Sequence, residues 1–153
     1  MPDWVSHLLL GYFVATLLGI KNKKPVYIGV LLPDAFKIFI PLMTLLEINN
    51  TILMNFFAPY HTVVGVFLSG IIVASFFENL KTAYMGVILG AFTHLVADSF
   101  LYPWGTNIWF LWPLWQGDPG TGILWSDSFT PLFITSLLSI FAFTYRKVVE
   151  SKL

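Results

Sequence analysis

All three histidines of this chain, and two of its aspartates, fall inside otherwise apolar stretches: His7, Asp34, His61, His94 and Asp98. Ionisable side chains are costly in such segments. They are kept there when they face one another or a functional site. His94 and Asp98 are four residues apart, so they share one face of a helix. Imidazole nitrogen and carboxylate oxygen are the donor types that bind zinc and similar divalent ions. Together the five side chains could hold one or two divalent ions, with zinc the first expectation. Lys37, one turn beyond Asp34, is the remaining ionisable group in these stretches and the one basic candidate to meet a phosphate there.

Each residue also has a plainer reading. His7 could sit at a membrane interface, His61 could begin a helix, and Asp34 after Pro33 could cap a turn. The spacing of small residues favours convergence. The series His7, Gly11, Ala15, Gly19 has helical spacing, as do His61, Gly65, Ser69 and Gly86, Gly90, His94, Asp98. Small residues at this spacing let membrane helices approach closely. The stripe that packs is therefore the stripe that carries the histidine.

The elements that must position these groups are apolar segments over 4–20, 25–40, 61–77, 83–101 and 129–145. The reading is an all-α integral membrane bundle of about four or five spans, each near the ~20 residues a span needs. It forms a single domain over 1–153, and 25–40 is short for a straight span. Pro33 removes a backbone donor and can break the helix there. The segment from Pro41 to Tyr60 is mixed in character and reads as interfacial or re-entrant.

Composition agrees with this class. Hydrophobic residues make up 57% of the 153 and charged residues 10%, against roughly 25% charged in a water-soluble domain. The formal net charge is zero, and no basic run points to nucleic acid. Cysteine is absent, which excludes disulfides and thiolate metal sites. Met1-Pro2-Asp3-Trp4 lacks a basic leader, so the first apolar stretch is expected to be a retained span.

Lys and Arg are retained in cytoplasmic loops. Lys21, Lys23, Lys24, Lys81, Arg146, Lys147 and Lys152, seven of the eight basic residues, fall on one side if the N-terminus is outside. The loop 102–128 has no base and holds five of the six Trp. It is expected on the outer face of a cytoplasmic membrane. In that topology all five polar side chains lie in the outer half, beneath this loop.

The segments Pro2-Asp3-Trp4-Val5-Ser6-His7, Leu32-Pro33-Asp34-Ala35-Phe36-Lys37-Ile38, Tyr60-His61-Thr62 and His94-Leu95-Val96-Ala97-Asp98 resemble the membrane-bound metal-dependent hydrolases. The resemblance is strongest to archaeal members and extends to Trp112-Pro113-Leu114 and Ser126-Asp127. That family includes bacterial inner-membrane proteins described as binding the repressor LexA. The order is also similar to the zinc-dependent phospholipase C fold. This similarity implies one metal site of Asp34, His61, His94 and Asp98, with His7 helping to form a second that shares Asp98. No histidine follows His94, so the further histidine-rich site of the phospholipases has no ligands here. Where many bacterial relatives carry a His-Arg pair before His61, this chain has Phe56-Phe57-Ala58.

The leading expectation is a metal-dependent hydrolase acting on a lipid-linked phosphoester, with membrane lipid as its partner. In it Asp34 serves as general base if it is not a ligand. A metal or proton transporter is an alternative, although the inner half carries few polar groups and no repeat is evident. A non-catalytic membrane scaffold with a structural metal is the other.

Overall fold

The computed structural model describes residues 3–47, 58–100, 111, 122–124 and 128–151. Among these the fold is all-α. The helices are α1 (Asp3–Leu17), α2 (Lys24–Leu31), α3 (Ile40–Leu45), α4 (Val63–Ala74), α5 (Leu80–Ser99) and α6 (Thr130–Glu150). Short 3-10 turns occupy Ala35–Phe39 and Ala58–His61. Most of the loop 102–128 lies outside the described residues. So do Trp112-Pro113-Leu114, Ser126-Asp127 and, within the Pro41–Tyr60 segment, residues 48–57.

Local chemistry sets the helix starts. Thr62 caps α4: its hydroxyl accepts from Gly65 N at 2.9 Å and donates to Pro59 O at 2.7 Å. Asn79 caps α5, with Oδ1 accepting from Thr82 N at 3.0 Å. Helices α2, α3 and α6 each carry proline in the first turn, where its missing N–H costs nothing.

The 25–40 stretch is not one helix. Helix α2 stops at Leu31, and Pro33 follows the cap residue Leu32. The backbone then tightens to three-residue bonds: Leu32 N to Gly29 O at 3.2 Å, Asp34 N to Leu31 O at 3.2 Å and Lys37 N to Asp34 O at 2.9 Å. Asp34 is held at this turn and is 1% exposed.

Helix α2 packs against α5, α1 against α6, and α4 against α5, with α1 also touching α2 and α5. The α2–α5 crossing is the closest. A Cβ added to Gly90 would run into the Val26 carbonyl, and one added to Gly29 would run into the Val87 carbonyl. The two backbones meet directly because both glycines lack a side chain. Helix α6 turns Thr135, Ser139 and Ala142 inward, and Ser139 Oγ donates to Leu9 O at 2.9 Å.

Large apolar side chains face outward. Leu68, Ile71 and Ile72 of α4 and Phe133, Ile140 and Phe141 of α6 are exposed. Helices α5 and α6 are long and apolar enough to cross a membrane, with hydropathy of 1.3 and 1.5. Helices α1 and α4 are apolar but shorter. These features are consistent with membrane association.

The glycine crossing makes a graded prediction. Gly90→Ala forces backbone apart from backbone and should cost about 1–3 kcal/mol. Gly70→Ala meets side chains alone, the tip of Ile88 with Cδ1 at 2.8 Å and the Tyr84 ring at 3.4 Å, and should cost less. Thermal unfolding midpoints of the two variants in one detergent, beside the wild type, check the order.

Candidate metal centre

Four separate elements deliver the five side chains. His7 comes from the first half of α1, Asp34 from the turn after α2, His61 from the end of the 3-10 turn before α4, and His94 and Asp98 from α5. The structure brings them together. His7 Nε2 lies 3.1 Å from Asp98 Oδ1, and His61 Nε2 lies 3.1 Å from Asp34 Oδ1. The His7 ring stacks on that of His94 with centroids 4.1 Å apart, and the His61 ring stands edge-on to His94 at 5.6 Å. His7, Asp34 and His94 are each 3% exposed or less, and Asp98 is 9% exposed. Two triads have their donor atoms within 4.8 Å of one another: His7, His94, Asp98 and Asp34, His61, His94.

His94 is the centre of the group. Its Nδ1 lies 2.7 Å from the carbonyl oxygen of Val30. A carbonyl only accepts, so Nδ1 carries the proton and donates it. In the neutral ring Nε2 then bears a lone pair. This atom is buried and lies 3.1 Å from Asp98 Oδ2 and 3.9 Å from Asp34 Oδ1. A lone pair directed among carboxylate oxygens is repulsive. A cation placed among them turns the same geometry into ligation.

The donor set fits a divalent ion. Two ligands about 2.05 Å from a tetrahedral ion stand about 3.3 Å apart, close to the 3.1 Å separations found here. The bond from Nδ1 to a backbone carbonyl is also the usual support of a metal-binding histidine, fixing ring and tautomer.

Lys37 Nζ is bonded to Asp34 Oδ2 at 2.5 Å. Asp34 thus divides its oxygens, Oδ1 toward the imidazoles and Oδ2 toward Lys37. The partner that sequence reasoning missed is the Val30 carbonyl. Its signal is Pro33. The helix ends there, and Asp34 N bonds Leu31 O in place of Val30 O, which leaves the Val30 carbonyl for His94. The resemblance implied Asp98 as the group shared by two sites, whereas the two triads here share His94.

No family model, curated protein or solved structure matches the chain in comparison. The buried His/Asp cluster and the two long apolar helices are consistent with a metal-binding, membrane-associated protein.

An ion held here would stabilise the folded state alone. Zinc at about 100 times its dissociation constant should add about 2.7 kcal/mol, seen as a raised melting temperature in detergent. The rise should vanish on chelation and be absent in Asp98→Asn, which keeps the side-chain shape but removes the charge.

Proposed function

We propose that this chain is a multi-pass protein of about four or five spans and a single domain, set in a cytoplasmic membrane with its N-terminus outside. In this reading it is a metal-dependent hydrolase that cleaves a phosphoester of a membrane lipid. One observation carries the proposal: the buried His94 Nε2, on a ring anchored by the bond from Nδ1 to Val30 O, stands 3.1 Å from Asp98 Oδ2 and 3.9 Å from Asp34 Oδ1, so that a ring nitrogen and two carboxylate oxygens surround one point.

The ligands are Asp34, His61, His94 and Asp98. His94 offers a single lone pair, so both triads cannot claim it for separate ions. One ion therefore sits at His94. Any second ion takes His7 and Asp98 Oδ1 and does without His94. When bound, a divalent ion supplies an acidified water near neutral pH and polarises a phosphoryl oxygen.

The chain's own residues supply position and charge. The Val30 carbonyl holds the His94 ring in one orientation and tautomer. His7, stacked on that ring, orients Asp98 through Oδ1. Both oxygens of Asp34 are engaged, Oδ1 by His61 and Oδ2 by Lys37. Asp34 therefore suits a ligand better than a free general base, and the base role requires Lys37 to move away. Lys37, beside the cluster, is the group that can meet a phosphate oxygen.

The resemblance to membrane-bound metal-dependent hydrolases supports the same reading. So does the one-sided placement of the ionisable groups. Among the described residues the other buried polar residues carry hydroxyls, such as Ser69, which donates to Gly65 O at 2.6 Å within its own helix. That pattern favours a site over a pathway across the membrane.

The test is metal content of the purified, detergent-solubilised protein, wild type beside His94→Ala and Asp98→Ala. We expect about one or two divalent ions in the wild type and loss in both variants. Hydrolysis of lipid phosphoesters should fall with the metal. A wild type that stays free of metal after supplementation sinks the hydrolase reading. Bound metal without any hydrolysis would favour the structural-metal scaffold.

A further inference from the structure

A second group of charges lies at the other end of α1. His7 and Gly19 are twelve residues apart, roughly 18 Å along a helix. Here a cavity of about 310 Å³ opens between the C-terminal ends of α1 and α6. Lys21, Lys23, Arg146 and Lys147 line it, and Glu150 is the one carboxylate among the lining residues.

The backbone prepares this end. Gly19 N bonds Thr16 O at 3.1 Å and Ile20 N bonds Ala15 O at 2.9 Å, with Gly19 at φ +66°. This is a Schellman turn, which needs a left-handed residue. It occupies α1 carbonyls that would otherwise attract the cations. The two terminal nitrogens of Arg146 each lie 3.2 Å from where a Gly19 Cβ would stand. The glycine thus serves both the turn and the seating of the guanidinium.

Lys23 is turned inward. Its Nζ donates to Thr16 Oγ1 at 2.7 Å and stands 4.4 Å from the centre of the Tyr12 ring. Arg146 pairs with Glu150 at 3.2 Å, which answers one of the four positive charges. Retention of basic residues on the cytoplasmic side explains why these cations share an end. It does not explain why Lys23 and Arg146 are half-buried at the cavity, with the exposed Lys21 and Lys147 at its rim. Four basic side chains around one cavity, with a single carboxylate among them, suit an anion.

We infer that this cavity binds a phosphate group, supplied by the headgroup of an anionic phospholipid in the leaflet on the basic side. The inference rests on the membrane reading above and is independent of the metal. Phosphate oxygens suit both the fork of Arg146 and the ammonium groups, and the apolar outer face of α6 gives the acyl chains a surface to follow.

The experiment is native mass spectrometry of the full chain in detergent, titrated with phosphatidylglycerol and, in parallel, zwitterionic phosphatidylcholine. Phosphatidylglycerol should be retained over phosphatidylcholine. The double variant Arg146→Gln, Lys147→Gln should bind it about thirty-fold more weakly, and the exposed Lys21→Gln about five-fold, since each basic residue near an anionic surface contributes by that factor. Glu150→Gln should bind it more tightly. Metal content should stay at the wild-type level in all of them, which separates this result from the fate of the metal reading. Equal retention of the two lipids overturns the inference, as does wild-type affinity in a double variant that melts at the wild-type temperature. Displacement by excess inorganic phosphate keeps the phosphate site but overturns the lipid as its source. Recovery of the wild type in the soluble fraction of lysed cells overturns the membrane reading itself.

Discussion

The bond from His94 Nδ1 to the Val30 carbonyl joins a side chain of one helix to the backbone of another. It exists because Pro33 ends α2 early and Asp34 N turns back to Leu31 O, leaving the Val30 carbonyl without its helical partner. A buried carbonyl of this kind must be satisfied, and His94 satisfies it. Nδ1 thereby keeps its proton, and Nε2 is aimed at Asp98 and Asp34. A helix break, a tautomer and a candidate ligand geometry are therefore one event seen at three levels. Because the anchor is backbone, it cannot rotate away as a side-chain partner could.

That bond has a spacing requirement. The imidazole spans the gap at 2.7 Å only if α2 and α5 lie nearly in backbone contact. Gly29 and Gly90 provide this, each set against a carbonyl of the opposite helix, while Gly86 admits Pro25 beside them. Gly90 and His94 are one turn apart on the same face of α5, so one stripe makes the close approach and uses it. One hydrophobic cluster adjoins the site: Val66, Ala91 and Leu95, with Val63, Ile88 and Phe92 around them.

Much of this was legible in the sequence because it is local. The i, i+4 pair of His94 and Asp98, the small-residue stripes and the turn at Pro33-Asp34 follow from helical period and proline chemistry. The helix ends were less legible. Apolar residues run on to Ile20, yet α1 stops at Leu17 because Gly19 takes the left-handed conformation, a choice hydropathy does not register. The division of 25–40 into α2 and a 3-10 turn that ends where α3 begins is marked by Pro33 and Pro41, but an apolar count passes over both. The stacking of His7 on His94 arises from the crossing of α1 and α5, which no spacing within either helix encodes. A resemblance, likewise, transfers residue identities but not which nitrogen keeps a free lone pair.

The distribution of polarity links the two ends. On α6 the inward positions are small or hydroxylated, Thr135, Ser139 and Ala142, while Phe133, Ile140 and Phe141 point out. In water that order would be unfavourable, because large apolar side chains gain by burial. Among acyl chains it is natural: the outward groups are solvated by lipid, and the inward groups permit close packing. Among the described residues the charged groups named above gather toward two ends. One end gathers imidazoles and carboxylates that call for a cation, and the other gathers ammonium and guanidinium groups that call for an anion. With a divalent ion held at the first, both ends would attract phosphate.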